Sequence, residues 1–142
     1  MDADVDRTSV RFIIRDFDTA GLGAHEAMLE KLARETVTGW PGASVTVRVE
    51  QSYRNFKQVL DQHPEVAANA IEAIRRAGFA PRAGAIRGGT DGSRLSYMGL
   101  PTPNLFTGGH NYHSRLEWIS VQDMEKAVET IVHLVRIFEE KA

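Results

Sequence analysis

No cysteine occurs among the 142 residues, so disulfides and thiolate metal sites are excluded. Any zinc would have to be held by His, Asp or Glu. A cysteine-free chain also suits a cytoplasmic protein. Net charge is nearly absent: the formal value of −2 gives no basis for a nucleic-acid partner or an anionic membrane. No apolar run reaches the length of a membrane span. The start, Met1 to Asp6, is acidic where a signal peptide would be basic and then apolar, and it reads as a solvated terminus. Internal repeats and low-complexity tracts are lacking too. What is present is ordinary globular usage, 42% hydrophobic and 25% charged, in a length that suits one domain or two small lobes.

Strand and helix signals alternate, which predicts an α/β architecture. Val10 to Phe17 is a β-rich run and predicts a strand. Ala24, Met28, Leu32 and Ala33 form a helical stripe over Thr19 to Val37, bounded by Gly39, and Pro41-Gly42 signals a turn. Val45, Val47 and Val49 alternate with Thr46, Arg48 and Glu50, the pattern of a half-buried strand. Together these predict a β-α-β lobe over residues 1–55 whose open sheet edges want partners. The lobes join near Tyr53 to Asp61. Residues 56–142 form the second, where His63-Pro64-Glu65 starts a helix running to Gly78. Phe79 to Ile86 predicts a short strand. Leu95 and Met98 suggest a short helix ended by Gly99, and Pro101 to Phe106 can be at most an edge strand. Val121 to Glu140 predicts a long amphipathic helix, apolar at Met124, Ala127, Val128, Ile131, Leu134, Val135 and Phe138.

Three segments carry candidate chemistry. In Gly108-Gly109-His110-Asn111-Tyr112-His113, two histidines stand three apart after a glycine pair, with Glu117 four beyond the second. Neutral imidazole is the commonest protein ligand for zinc, and Glu117 could fix an imidazole from behind. A solvated loop with an ordinary surface carboxylate fits the same residues. In Arg87-Gly88-Gly89-Thr90-Asp91-Gly92, glycines would let backbone amides approach an anion. The P-loop lysine and the dinucleotide spacing are absent, and a tight turn capped by Thr90 or Asp91 fits as well. Arg15 could clamp a substrate carboxylate, or simply pair with Asp16 or Asp18. His25 and His133 lie on predicted helices and His63 opens one, positions that suit solvated or capping roles.

Taken in order, Ile13-Ile14-Arg15-Asp16-Phe17-Asp18, Ile86-Arg87-Gly88-Gly89-Thr90-Asp91-Gly92, Gly99-Leu100-Pro101, Pro103-Asn104-Leu105-Phe106-Thr107-Gly108-Gly109 and His110-Asn111-Tyr112-His113 resemble the C-terminal part of the tripeptide aminopeptidases of the M20 metallopeptidase family. Met124-Glu125-Lys126-Ala127-Val128 extends the resemblance into the last helix. It implies a fold in which residues 1–55 are the C-terminal half of a lid, or dimerisation, domain. Residues 56–142 would be the last segment of a catalytic domain.

The resemblance also implies chemistry. Two zinc ions share a bridging carboxylate and a water, and a glutamate serves as general base. The zinc histidine that precedes a glutamate by four positions matches His113, with Glu117 behind it; members carry His or Tyr at the place of His110, which implies a site-lining role. Arg15 matches the lid arginine that meets the substrate's carboxylate end, and Gly88, Gly89 and Thr90 match a loop lining that end. Ser114 and Leu116 depart from the usual residues between the histidine and the glutamate. The other zinc ligands and the general base belong to a part of the family that this sequence does not match. The expectation is therefore a fragment, with no catalytic residue of its own, inactive alone and holding zinc weakly. Its open lid edges offer a route to pairing between copies. The rival is a non-enzymatic α/β module that captures a small anion at Gly88–Thr90.

Overall fold

The computed structural model describes residues 2, 3, 6–86 and 88–142, so Met1, Asp4 and Val5 of the acidic start and Arg87 of the glycine turn lie outside them. The chain divides into two units, Met1–Asn55 and Phe56–Ala142.

In the first unit β1 (Asp2–Ala3) pairs antiparallel with β2 (Thr8–Ser9), Asp2 opposite Ser9. An extended segment leads to Asp18, whose carboxylate accepts the Ala20 N–H at 3.2 Å and so satisfies a donor the first helical turn leaves open. Helix α1 (Thr19–Thr38) follows and stops at Gly39, whose N–H bonds to the Val37 carbonyl. The turn at Pro41-Gly42 is closed by the Ala43 N–H on the Trp40 carbonyl at 3.0 Å.

The two expected strands of this unit do not form. Val10 to Phe17 and Val45 to Val49 are unpaired chain, and no backbone hydrogen bond joins them among the described residues. The reason is physical: alternation predicts which face of a segment is apolar, but a strand exists only where another segment completes its ladder. The alternation itself persists, with Val45 and Val47 half-buried between exposed neighbours. No residue of α1 is buried, and Phe12 and Ile13 remain 66% and 76% exposed.

The second unit begins with a short helix that the sequence does not announce, α2 (Lys57–Leu60). Helix α3 (Pro64–Arg76) places Pro64 in its first turn, where the missing N–H costs nothing; His63 precedes it without a side-chain cap bond. Its end is a Schellman motif. Gly78 takes φ 89°, its N–H bonds the Arg75 carbonyl at 2.9 Å, and the Phe79 N–H reaches back to Ile74 at 3.1 Å. The expected strand from Phe79 to Ile86 is again unpaired chain. Helix α4 (Asp91–Tyr97) is closed in the same manner, with the Leu100 N–H on the Leu95 carbonyl at 2.9 Å. A second hairpin pairs β3 (Gly109–His110) with β4 (Trp118–Ile119). Ser120 then caps α5 (Val121–Glu140), its Oγ accepting the Asp123 N–H at 3.0 Å.

The core of this unit lies between α3 and α5. Ala70, Ala73 and Ala77 are small enough for close approach, and Ile137 and Thr130 of α5 are each 1% exposed. The Thr130 hydroxyl is satisfied by the Lys126 carbonyl at 2.8 Å. Around the seam Arg76 makes a bidentate pair with Glu140 at 2.8 and 2.9 Å, Lys126 donates to the Ala77 carbonyl at 3.1 Å, and Lys141 reaches buried Asn69. Mixed helix with sparse strand is α/β in the broad sense. Among the described residues no helix is long and apolar enough to cross a membrane.

Candidate functional site

The His110–His113 segment is a structured hairpin rather than an open loop. Its entry is anchored by Phe106, whose ring meets Phe79 edge-on at 5.7 Å and 82°. Gly108 has φ 82°, and a side chain there would collide with Asp123 in the first turn of α5, only 2.4 Å away. At Gly109 a Cβ would lie 2.6–2.8 Å from the Tyr112 ring, so that ring can cover the backbone only over glycine. The Tyr112 hydroxyl is tied to Thr107 Oγ1 at 2.7 Å. Across the hairpin His110 stands opposite Trp118, and the two rings stack at 4.3 Å and 15°.

At the tip, Asn111 has φ 56° and His113 φ 63°. Left-handed backbone costs a side-chain-bearing residue about 1–2 kcal/mol, and such strain persists only where surroundings impose it. Here they do. The Ser114 N–H bonds the Asn111 carbonyl at 3.1 Å and the Glu117 N–H bonds the Ser114 carbonyl at 3.1 Å. Asn111 Nδ2 donates to the Leu116 carbonyl at 3.3 Å and the Leu116 N–H to Ser114 Oγ at 3.1 Å. Glu117 Oε2 accepts the backbone N–H of His113 at 3.0 Å. This differs from the expected hold on the imidazole: the carboxylate is spent on the main chain, because a left-handed His113 turns its amide toward it. The His113 ring is exposed and makes no hydrogen bond among the described residues.

The Gly88–Thr90 segment lies in the same unit and leads into α4. Thr90 occupies the N-cap position, yet its hydroxyl makes no capping bond and is buried without a partner among the described residues. The following segment lies against this helix. The Thr102 N–H bonds Ser96 Oγ at 3.0 Å, and a Cβ on Gly92 would come within 2.6 Å of the Thr102 carbonyl. Asp91 sets a carboxylate in the first turn, where the helix dipole favours it.

Arg15 belongs to the first unit. Its two sequence neighbours are committed elsewhere: Asp16 accepts from the Asp18 N–H at 3.0 Å and faces His25 at 3.2 Å, and Asp18 caps α1. The Asp18 amide, with His25 behind it, holds the Asp16 carboxyl below its ordinary value. Arg15 is exposed and makes no salt bridge among the described residues. The remaining histidines have local carboxylate neighbours, His63 beside Glu65 at 3.4 Å and His133 beside Glu129 at 3.8 Å.

The structure thus gathers His110, His113 and Glu117 on one hairpin, leaves Gly88–Thr90 at α4, and puts Arg15 in the other unit. Among the described residues no group of three or more His, Asp or Glu side chains comes together as a metal shell. A zinc site needs three or four donors, and the hairpin offers the exposed His113 ring as one. Sequence reasoning missed Tyr112, Thr107 and Trp118 as parts of this hairpin. The available signal was Asn111, a residue type that tolerates left-handed backbone, next to a glycine pair.

Residues 7–137 match the model of peptidase family M20/M25/M40. Among curated relatives, the chain is 44% identical over 138 residues to a peptidase T of Clostridium perfringens, covering 97% of this chain and 34% of that protein. It is 45% identical over 137 residues to a peptidase T of Aeromonas hydrophila, covering 96% and 34%. With a peptidase T of Shouchella clausii it is 41% identical over 142 residues, covering 100% and 35%. The chain therefore spans about a third of the length of the curated relatives it matches.

Proposed function

Because the chain belongs to peptidase family M20/M25/M40, we propose that it supplies the C-terminal third of a cytoplasmic zinc-dependent tripeptide aminopeptidase. In this reading residues 1–55 are half of a lid and residues 56–142 the last segment of the catalytic domain. His113 is a ligand to one of two zinc ions, with His110 on the cleft wall. Arg15, Gly88, Gly89 and Thr90 receive the carboxylate end of the substrate. The observation that carries it is the hairpin, which spends several hydrogen bonds on a strained turn and leaves the exposed His113 ring without a hydrogen-bond partner among the described residues.

Zinc, when bound, polarises a scissile carbonyl and lowers the pKa of a water. The chain's own contribution is placement. His113 offers a ring nitrogen from a hydrogen-bonded turn, and Arg15 carries a guanidinium with no carboxylate partner among the described residues, ready for a bidentate bond to a peptide's C-terminus. A non-enzymatic module that captures a small anion at the same Gly88–Thr90 turn is the alternative, and the family match favours the peptidase reading over it. Exposed apolar segments such as Val10 to Phe17 give the lid half a surface for pairing with the rest of a lid or with a second copy.

The test is tripeptide hydrolysis with added zinc. The purified 142-residue chain is expected to be inactive, and co-expression with the preceding two-thirds of a related peptidase T to restore turnover. In the restored enzyme His113→Ala should abolish activity, and Arg15→Ala should raise KM far more than it lowers kcat. Turnover by the chain alone would overturn the proposal.

A further inference from the structure

The hairpin holds His113 through its main chain, and one side chain bonds its amide directly. Glu117 accepts the His113 N–H at 3.0 Å, while no hydrogen bond reaches the imidazole among the described residues. At φ 63° the His113 amide is met by the Glu117 carboxylate rather than by a ladder partner. A carboxylate is the strongest acceptor a side chain can offer, because the bond is charge-assisted. The other bonds of the turn, from Asn111 to Leu116 and from Leu116 to Ser114, set the residues on either side and leave the His113 amide to Glu117. We infer that Glu117 is a positioning residue that fixes the left-handed backbone of His113, and thereby the direction in which its ring projects. The effect reaches the imidazole through Cα rather than through a bond to its far nitrogen, which differs from the usual carboxylate–histidine pairing in metal sites. That nitrogen stays open to a partner from elsewhere. The inference rests on the reading of His113 as a ligand only for its consequence; the clasp itself stands on the geometry.

The experiment uses the isotope-labelled 142-residue chain. Exchange of the His113 amide with water is measured in the wild type, in Glu117→Ala and in Glu117→Gln, and zinc chloride is titrated while the His113 ring protons are followed. Glu117→Ala should speed exchange of that amide about tenfold and weaken the zinc response of the ring by about tenfold, within the range that outer partners of metal ligands carry. Glu117→Gln keeps an acceptor oxygen and should restore both to within about threefold of wild type. Far-UV circular dichroism, dominated by α1, α3 and α5, should be unchanged in both variants. Unaltered amide exchange in Glu117→Ala would overturn the inference, and so would equal loss in the two variants. Exchange results as expected uphold the clasp whether or not this chain, with one donor of the three or four a zinc site needs, responds to zinc; the ligand reading stands or falls separately with His113→Ala in the restored enzyme.

Discussion

The two units are built from the same kinds of residue yet reach different ends. In the second, α3 and α5 bury alanines, Ile137 and Thr130 against each other and lace the seam with Arg76, Lys126 and Lys141. In the first, α1 is as long as α5 and equally well capped, but none of its residues is buried, and the flanking valine and isoleucine runs have no ladder. The lesson is that helix formation and core formation are separate events. Local signals suffice for the first, whereas burial needs a second apolar surface, and Met28 and Leu32 meet none that encloses them.

Truncation breaks the comparison most sharply. Ile137→Ala should destabilise the second unit by about 2–5 kcal/mol, because it opens a cavity between two helices that cannot close it. Leu32→Ala, at a half-exposed position of α1, should change stability by no more than about 0.5 kcal/mol. Urea unfolding followed by circular dichroism reads both. Comparable losses would mean that α1 is enclosed as α5 is.

The caps give a smaller and more even effect. Ser120→Ala removes the acceptor for the Asp123 N–H and should cost about 1 kcal/mol by the same measurement. Because Ser120 also follows β4 directly, amide exchange at Trp118 and Ile119 should rise with it. An unchanged unfolding midpoint would show that α5 is held by its packing on α3 alone.

The smallest effect is the response to acid. The hydrogen bonds from Arg76 hold the Glu140 carboxyl below its ordinary value. A lowered carboxyl contributes stability at pH above its unfolded value, and that contribution is lost as pH falls through the folded value. Acidification through the carboxylate range should therefore loosen the α3–α5 seam slightly, and Arg76→Ala should flatten that part of the curve. A wild-type midpoint that does not move with pH there would break the assignment.

The helices were readable because their instructions are short-range. Pro64 with Gly78, Gly99, and the stripe from Met124 to Phe138 mark extents within a few residues, and the observed bounds follow them closely; the face was misread, since α5 buries Thr130 and Ile137 while Met124, Val128, Ile131, Val135 and Phe138 of the stripe stay exposed. Helix α2 escaped because four residues hold no period. The strands from Val10, Val45 and Phe79 were overread, since alternation says nothing of a partner. At the site, the family resemblance singled out His113 through its spacing to Glu117, and that spacing suggested a grip on the ring. The grip proved to be on the amide, through a left-handed turn that residue types alone do not specify.

By itself, then, the amino-acid sequence determined the long helices, the lack of disulfides and thiolate sites, and the resemblance that the family match bears out. Tertiary structure decided which extended runs are paired, which helix is buried, that Asp16 and Asp18 leave Arg15 unquenched, and what Glu117 holds. The division has one physical cause. Helical hydrogen bonds and caps close over four residues and are written locally, while ladders, cores and side-chain clasps form only when separate segments are brought to the same place.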